Sequence, residues 1–229
     1  QVRKLLINHG VDIDVYEGMT PAYTPYRYRN KMEYTFGDLE IGGRLEVGMH
    51  KKGHFMSIIT TDECQLVPED FNKILSATRA FCEERGYAKY HKKIHEGLLR
   101  NLIVRCGVRT GELLVDIVTT TEPGLGLDLD KTVVGVLRTF NDALADAVID
   151  EGTKILYGRD YYNEEILGLK FKVKTFAFFQ TNIDAVERLY SHALELIPDI
   201  DAKTVYDLYC GTGTITQLMA KKAAKVYGV

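Results

Sequence analysis

The stretch 204-TVYDLYCGTGTIT-216 runs from an apolar, strand-like segment through a Gly-x-Gly turn into a helical pattern. A phosphate-binding Walker loop requires GxxxxGK followed by Ser or Thr, whereas Gly213 is followed by Thr214 and Ile215. The dinucleotide fingerprint GxGxxG requires a third glycine, and Gln217 and Leu218 stand near its place. A pyrophosphate also favours a helix N-terminus free of carboxylate, yet Asp207 immediately precedes this turn. The alternatives that remain are a tight strand-to-helix turn without a ligand and a loop that holds a nucleoside lacking phosphate.

S-adenosylmethionine (SAM) fits the second alternative. It carries no phosphate, so an acid at the strand end is tolerated, and Asp207 can organise the loop and meet the cationic methionine moiety. Gly211 and Gly213 allow the backbone to approach a ligand closely. A further acid that grips the ribose hydroxyls is expected after the next strand, 225-KVYGV-229, immediately beyond Val229. Two parallel strands do not make a sheet covered on both faces. The chain is therefore expected to lack most of a catalytic domain, and Gln1 is not expected to be a natural start.

Working outward, residues 1–9 read as the tail of a helix ended by Gly10, and residues 30–59 as a β-meander. The segment 68-PEDFNKILSATRAFCEERG-86 predicts a helix opened by Pro68 and closed by Gly86. A hairpin turning at Thr110-Gly111 follows, then a helix over 128–144 and short strands at KILYG and LKFKVKTF. After Lys174 a helix with apolar positions Ile183, Val186, Leu189, Tyr190, Ala193, Leu194 and Ile197 is expected, capped by Thr181 or Asn182. The expected fold class is an antiparallel α+β central domain over 17–174, followed by the start of an α/β, Rossmann-like domain over 175–229.

The composition is that of a globular protein, with 45% hydrophobic and 27% charged residues in 229. No apolar run approaches the ~20 residues of a membrane span, and a cytoplasmic setting without membrane association is expected. Cys64, Cys82, Cys106 and Cys210 share no CxxC spacing, so neither a zinc knuckle nor a disulfide framework is indicated. The net charge of −3 does not advertise a nucleic-acid binder, but phosphate contact depends on local patches. Basic residues gather at Arg27, Arg29 and Lys31, at Lys51, Lys52 and His54, and from Lys89 to His95.

Taken together, 25-PYRYRNKMEYTFG-37, 178-FFQTN-182 and 207-DLYCGTGTIT-216 resemble the SAM-dependent RNA (uracil-5-)-methyltransferases. The intervening 97-GLLRNLIVR-105, GELLVDIVTT and 155-ILYG-158 occur in the expected order. The resemblance implies a class I methyltransferase domain from 175, a central RNA-recognition domain, and a connecting helix over 1–16 that packs on the catalytic domain. It implies an N-terminal OB-like domain preceding Gln1. It assigns cofactor contacts to Gln180, Asp207, Tyr209, Gly211, Gly213 and Thr214, the last standing where many relatives have Asn. It places Arg29, Asn30 and Lys31 on the segment facing RNA. Phe178 and Phe179 are core aromatics or a stacking surface for a flipped base. Cys64 is either a small buried hydrophobe or the fourth ligand of a 4Fe–4S cluster whose other three cysteines precede Gln1.

The chemistry implied by the resemblance is covalent. A cysteine thiolate adds to carbon 6 of uracil, carbon 5 takes the methyl group, a general base removes the carbon-5 proton, and the thiolate leaves. That cysteine and base are expected downstream of Val229. Cys210, part of the cofactor loop, is not expected to be the nucleophile, and the 229-residue chain alone is expected to transfer no methyl group. The expected RNA is 23S rRNA. Alternatives are a tRNA uracil-5-methyltransferase and a non-catalytic RNA-binding module.

Overall fold

A computed structural model describes residues 1–121, 132–145 and 147–229. It opens with a short helix, α1 (Val2–Asn8), none of whose residues is buried. The meander follows as β1 (Lys31–Gly37), β2 (Glu46–Lys51) and β3 (His54–Thr60). Next come α2 (Glu69–Glu84) and the hairpin β4 (Leu99–Cys106) and β5 (Leu113–Thr119). Pro68 is the N-cap of α2, Glu69 and Asp70 favour its positive end, and Gly86 lies just past its end at φ 64°.

The helix expected over 128–144 is not what residues 132–144 form. Gly135–Phe140 is a strand, β6, and residues 128–131 lie outside the described residues. Val136 faces one hydrophobic cluster and Leu137 the other, so the segment is apolar on both sides and its periodicity does not separate strand from helix. β6 pairs parallel with β5, making the central sheet mixed where an antiparallel one was expected. The order is β3-β2-β1-β4-β5-β6-β7, with β7 at Thr153–Gly158. The parallel pair sits where both faces are covered, as such pairs require. Along β5, Leu113, Val115 and Ile117 enter the cluster beneath α2, while Leu114 enters the second cluster.

That second cluster is built on a hairpin, β8 (Tyr161–Ile166) and β9 (Leu169–Lys174), and on α3 (Ile183–Glu195). β8 was not legible because its inward positions are Tyr162, Glu164 and Ile166. The buried Glu164 carboxylate accepts hydrogen bonds from the backbone N–H groups of Val108 (2.6 Å), Arg109 (3.0 Å) and Glu165 (3.0 Å). It thus clasps the β4–β5 turn, and its interrupted apolar pattern has a structural cause. The chain ends in β10 (Thr204–Asp207), α4 (Thr214–Ala220) and β11 (Lys225–Gly228), with β10 and β11 paired in parallel.

Asp116, near the middle of β5, is also buried. Thr139 donates its hydroxyl to Oδ2 at 2.9 Å, and Oδ1 has no partner among the described residues. Burial pushes this carboxyl up to about 6, so the folded state holds a proton more tightly than the unfolded chain. Stability from this group is greatest below the unfolded carboxylate range and falls as pH rises towards 6. Asp116→Asn is expected to stabilise the protein by about 2–3 kcal/mol at pH 7.5, with the gain vanishing below about pH 4, in urea unfolding followed across pH.

Candidate cofactor-binding site

The candidate cofactor loop is the turn between β10 and α4. Asp207 pairs with Gly228 across the parallel strands, Val229 N–H donates to the Asp207 carbonyl (2.9 Å), and Cys210 N–H donates to the Val229 carbonyl (3.1 Å). Gly211 (φ 52°) and Gly213 (φ 71°) occupy the left-handed region, and Gly213 caps α4. A side chain is disfavoured at both by backbone geometry alone. Gly228 is constrained differently. A Cβ there lies 3.1 Å from Cys210 Cβ and from Thr216 Cγ2, so the absence of a side chain lets the loop rest on β11.

Thr216 donates its hydroxyl to Asp207 Oδ2 at 2.5 Å, which fixes the carboxylate while Oδ1 stays unengaged among the described residues. Tyr209 projects almost wholly into solvent, at 96% exposure, and its neighbour Leu208 is exposed as well. Thr214 is buried and its hydroxyl lies 3.0 Å from that of Thr212. The donor set fits SAM. An oriented carboxylate and two left-handed glycines suit a cationic nucleoside, and neither Lys nor Arg occurs in the loop to hold a phosphate.

Gln180 lies on the linker 174–182, between β9 and α3. Two buried side chains of the central sheet hold that linker. Asn30, only 2% exposed, donates from Nδ2 to the Gln180 carbonyl at 3.0 Å, and its own N–H donates to the Thr181 carbonyl at 3.0 Å. Arg105, also 2% exposed, donates to the carbonyls of Lys174 and Ala177, the latter at 2.8 Å. Asn182 then caps α3 by accepting from Ala185 N–H at 3.0 Å.

The three residues expected to face RNA therefore divide. Asn30 turns inward and its amide is spent on the linker. Arg29 is half-buried and donates from Nε to the Lys31 carbonyl at 3.0 Å. Lys31, half-buried and 3.7 Å from Glu33, has its ammonium pKa lowered by burial and by the charge of Arg105 opposite it on β4. Of the aromatic pair, Phe179 is buried against Phe171 (centroids 5.8 Å apart), while Phe178 is 73% exposed. Arg105 was not singled out from the sequence. The signal available was an arginine ending a strand otherwise dominated by Leu, Ile and Val.

Cys64 is half-buried against the α2 cluster. Among the described residues no group of three or more His, Cys, Asp or Glu is placed to hold a metal ion. Cys82 and Cys106 are buried, and burial pushes both thiols up to about 12, which makes them poor thiolates. Cys210 points towards the Gly211 carbonyl within the loop, Sγ to O 3.9 Å.

Comparison with known proteins places this fold. It superposes on the crystal structure of Pyrococcus abyssi tRNA (uracil-54, C5)-methyltransferase in complex with S-adenosyl-L-homocysteine with a TM-score of 0.78, over 99% of this chain and 54% of that one, at 22% identity. The fold is thus shared with about half of that enzyme. By sequence the chain is 48% identical, over its whole length, to an uncharacterized RNA methyltransferase of Caldanaerobacter subterraneus subsp. tengcongensis, of which it covers 53%. It is 48% identical over 89% of its length to one from Clostridium tetani and 43% identical over its whole length to one from Clostridium acetobutylicum. No family model matches. The chain is a homologue of these RNA methyltransferases, and it spans about half the length of the curated relatives it matches.

The tether is open to a direct test. Asn30→Ala removes one buried hydrogen bond and is expected to cost about 1–2 kcal/mol in urea unfolding. Asn30→Asp sets a buried carboxylate against the Gln180 carbonyl and is expected to cost more, about 3–5 kcal/mol at neutral pH. Equal effects of the two substitutions would show that the amide donor is not what holds the linker.

Proposed function

We propose that the full-length protein transfers a methyl group from SAM to carbon 5 of a uridine in RNA. The observation that carries this reading is the β10–α4 loop, where Asp207 is oriented by Thr216 beside two left-handed glycines, in a chain whose relatives are RNA methyltransferases. Bound SAM supplies an electrophilic methyl on a sulfonium. Asp207, Tyr209, Gly211, Gly213 and Thr214 hold it from the loop, and Gln180 from the tethered linker. The acceptor carbon is made nucleophilic by a cysteine adduct at carbon 6. The cysteine and the general base belong to the half of the relatives' length that this chain does not span.

Residues 17–174 serve as the RNA-recognition unit in this reading, and residues 175–229 as the entry to the catalytic unit. The proposed RNA is 23S rRNA, on the position of Cys64, where the resemblance puts a cluster ligand. tRNA is the second reading, favoured by the likeness in fold to the Pyrococcus abyssi tRNA enzyme. Mass-spectrometric mapping of 5-methyluridine in rRNA and tRNA, from cells with and without the gene, separates the two. Loss of the base from neither RNA would overturn the reading.

Asp207 provides a biochemical test. Asp207→Ala in the full-length protein is expected to weaken SAM about tenfold or more in isothermal titration calorimetry, the scale of one lost hydrogen bond to a charged group. Methyl transfer to RNA from radiolabelled SAM should fall with it. Unchanged SAM affinity would remove this carboxylate from the cofactor site.

A further inference from the structure

Two basic segments far apart in sequence meet on one edge of the central sheet. Residues 50-HKKGH-54 form the β2–β3 turn, and 89-KYHKKIH-95 the loop before β4. Their twelve residues contain five lysines, four histidines and no acid, in a chain whose net charge is −3. Lys92 Nζ lies 4.5 Å over the ring of Phe55 and 3.2 Å from His50 Nε2, and the His50 and Phe55 rings stack at 5.3 Å with an interplanar angle of 24°. Phe55 is nonetheless 63% exposed. Beside it a groove of about 260 Å³ runs between Met56 and Ser57 on one side and Lys89 to Lys93 on the other.

Within this patch Lys89 is neutralised by Asp38 at 2.8 Å, which leaves Lys51, Lys52 and Lys93 as exposed cations around the aromatic pair. An apolar partner does not need that charge, and an acidic peptide does not need flat exposed rings. Single-stranded nucleic acid needs both, because phosphates meet cations while bases stack on aromatic faces. The patch adjoins the Gly37 end of β1, whereas Asn30 and the cofactor linker adjoin its Lys31 end. Seven residues of strand separate them by about 20 Å, too far for one nucleotide to reach both sites.

We infer that the face formed by His50–Phe55 and Lys89–His95 is a docking surface for a single-stranded RNA segment flanking the nucleotide that is modified. Phe55 and His50 stack bases there, and Lys51, Lys52 and Lys93 meet phosphates. The inference rests on the RNA methyltransferase reading and adds where the RNA is gripped at a distance from the reaction.

The test uses the full-length protein and a fluorescein-labelled single-stranded RNA of about 20 nucleotides, titrated by anisotropy over a range of salt concentrations. Phe55→Ala is expected to weaken binding about five- to tenfold or more by loss of one stacking surface. Lys52→Gln combined with Lys93→Gln is expected to flatten the dependence of log affinity on log salt by about 1.4, the loss of two phosphate contacts to a single strand. SAM affinity, measured in parallel, should not change. RNA affinity within twofold of the parent for Phe55→Ala, with an unaltered salt slope for the lysine pair, overturns the docking surface. A parent protein that binds this RNA but neither binds SAM nor methylates RNA instead overturns the proposed function, and the comparison of variants remains readable.

Discussion

The segment that carries Gln180 is held by two buried side chains that belong to other elements. Asn30, at the start of β1, and Arg105, near the end of β4, reach the linker carbonyls of Lys174, Ala177 and Gln180. The two strands are neighbours in the sheet, and Lys31 and Arg105 are direct cross-strand partners. The same end of two adjacent inner strands thus supplies both anchors. Asn182, the cap of α3, stands only two residues after Gln180. The central sheet fixes the linker by giving its part-buried carbonyls hydrogen-bond donors, each worth about 0.5–1.5 kcal/mol, and more where the donor is charged.

The two hydrophobic clusters divide the work differently from a simple boundary in sequence. The cluster under α2 takes inward residues of β1, β2, β4 and β5. The cluster on the opposite face takes Leu114 and Leu137 from the same sheet together with β8, β9, α3 and Leu218 of α4. Because Leu114 and Leu137 stand on strands that also feed the first cluster, the sheet is a shared wall, and its central strands have no solvent-facing side. Asp116 and Arg138 are buried in this wall for that reason and must find partners within it, Thr139 for the first and the Thr119 hydroxyl for the second.

What was legible in the sequence is what local chemistry dictates. The Gly-x-Gly turn, the capped helices α2 and α3 and the Thr110-Gly111 hairpin follow from caps, turn residues and spacing, and each is present. What was not legible depends on which surface a segment meets. Residues 135–140 form a strand, not the expected helix, because Val136 and Leu137 are buried on opposite faces. β8 hides behind Glu164, whose ionisable side chain disguises an inward position until the turn at 108–109 is seen to fill it. Asn30 looked like a surface residue in a basic segment because nothing local announces a contact with a carbonyl 150 positions later.

Arg105 makes this junction selective. Its guanidinium is fully buried, and among the described residues no carboxylate pairs with it. Burial lowers its pKa, Nε has no partner among the described residues, and Nη1 and Nη2 each donate to one carbonyl, with the ring of Tyr162 5.9 Å away. A buried cation held by carbonyl dipoles alone adds little net stability, because its desolvation offsets most of what the hydrogen bonds return. Its contribution lies in discrimination. Any path of the linker that fails to bring the carbonyls of Lys174 and Ala177 to the guanidinium leaves the charge buried and unsolvated, a penalty of several kcal/mol. The chain thereby rejects alternative placements of the linker more strongly than it stabilises the correct one.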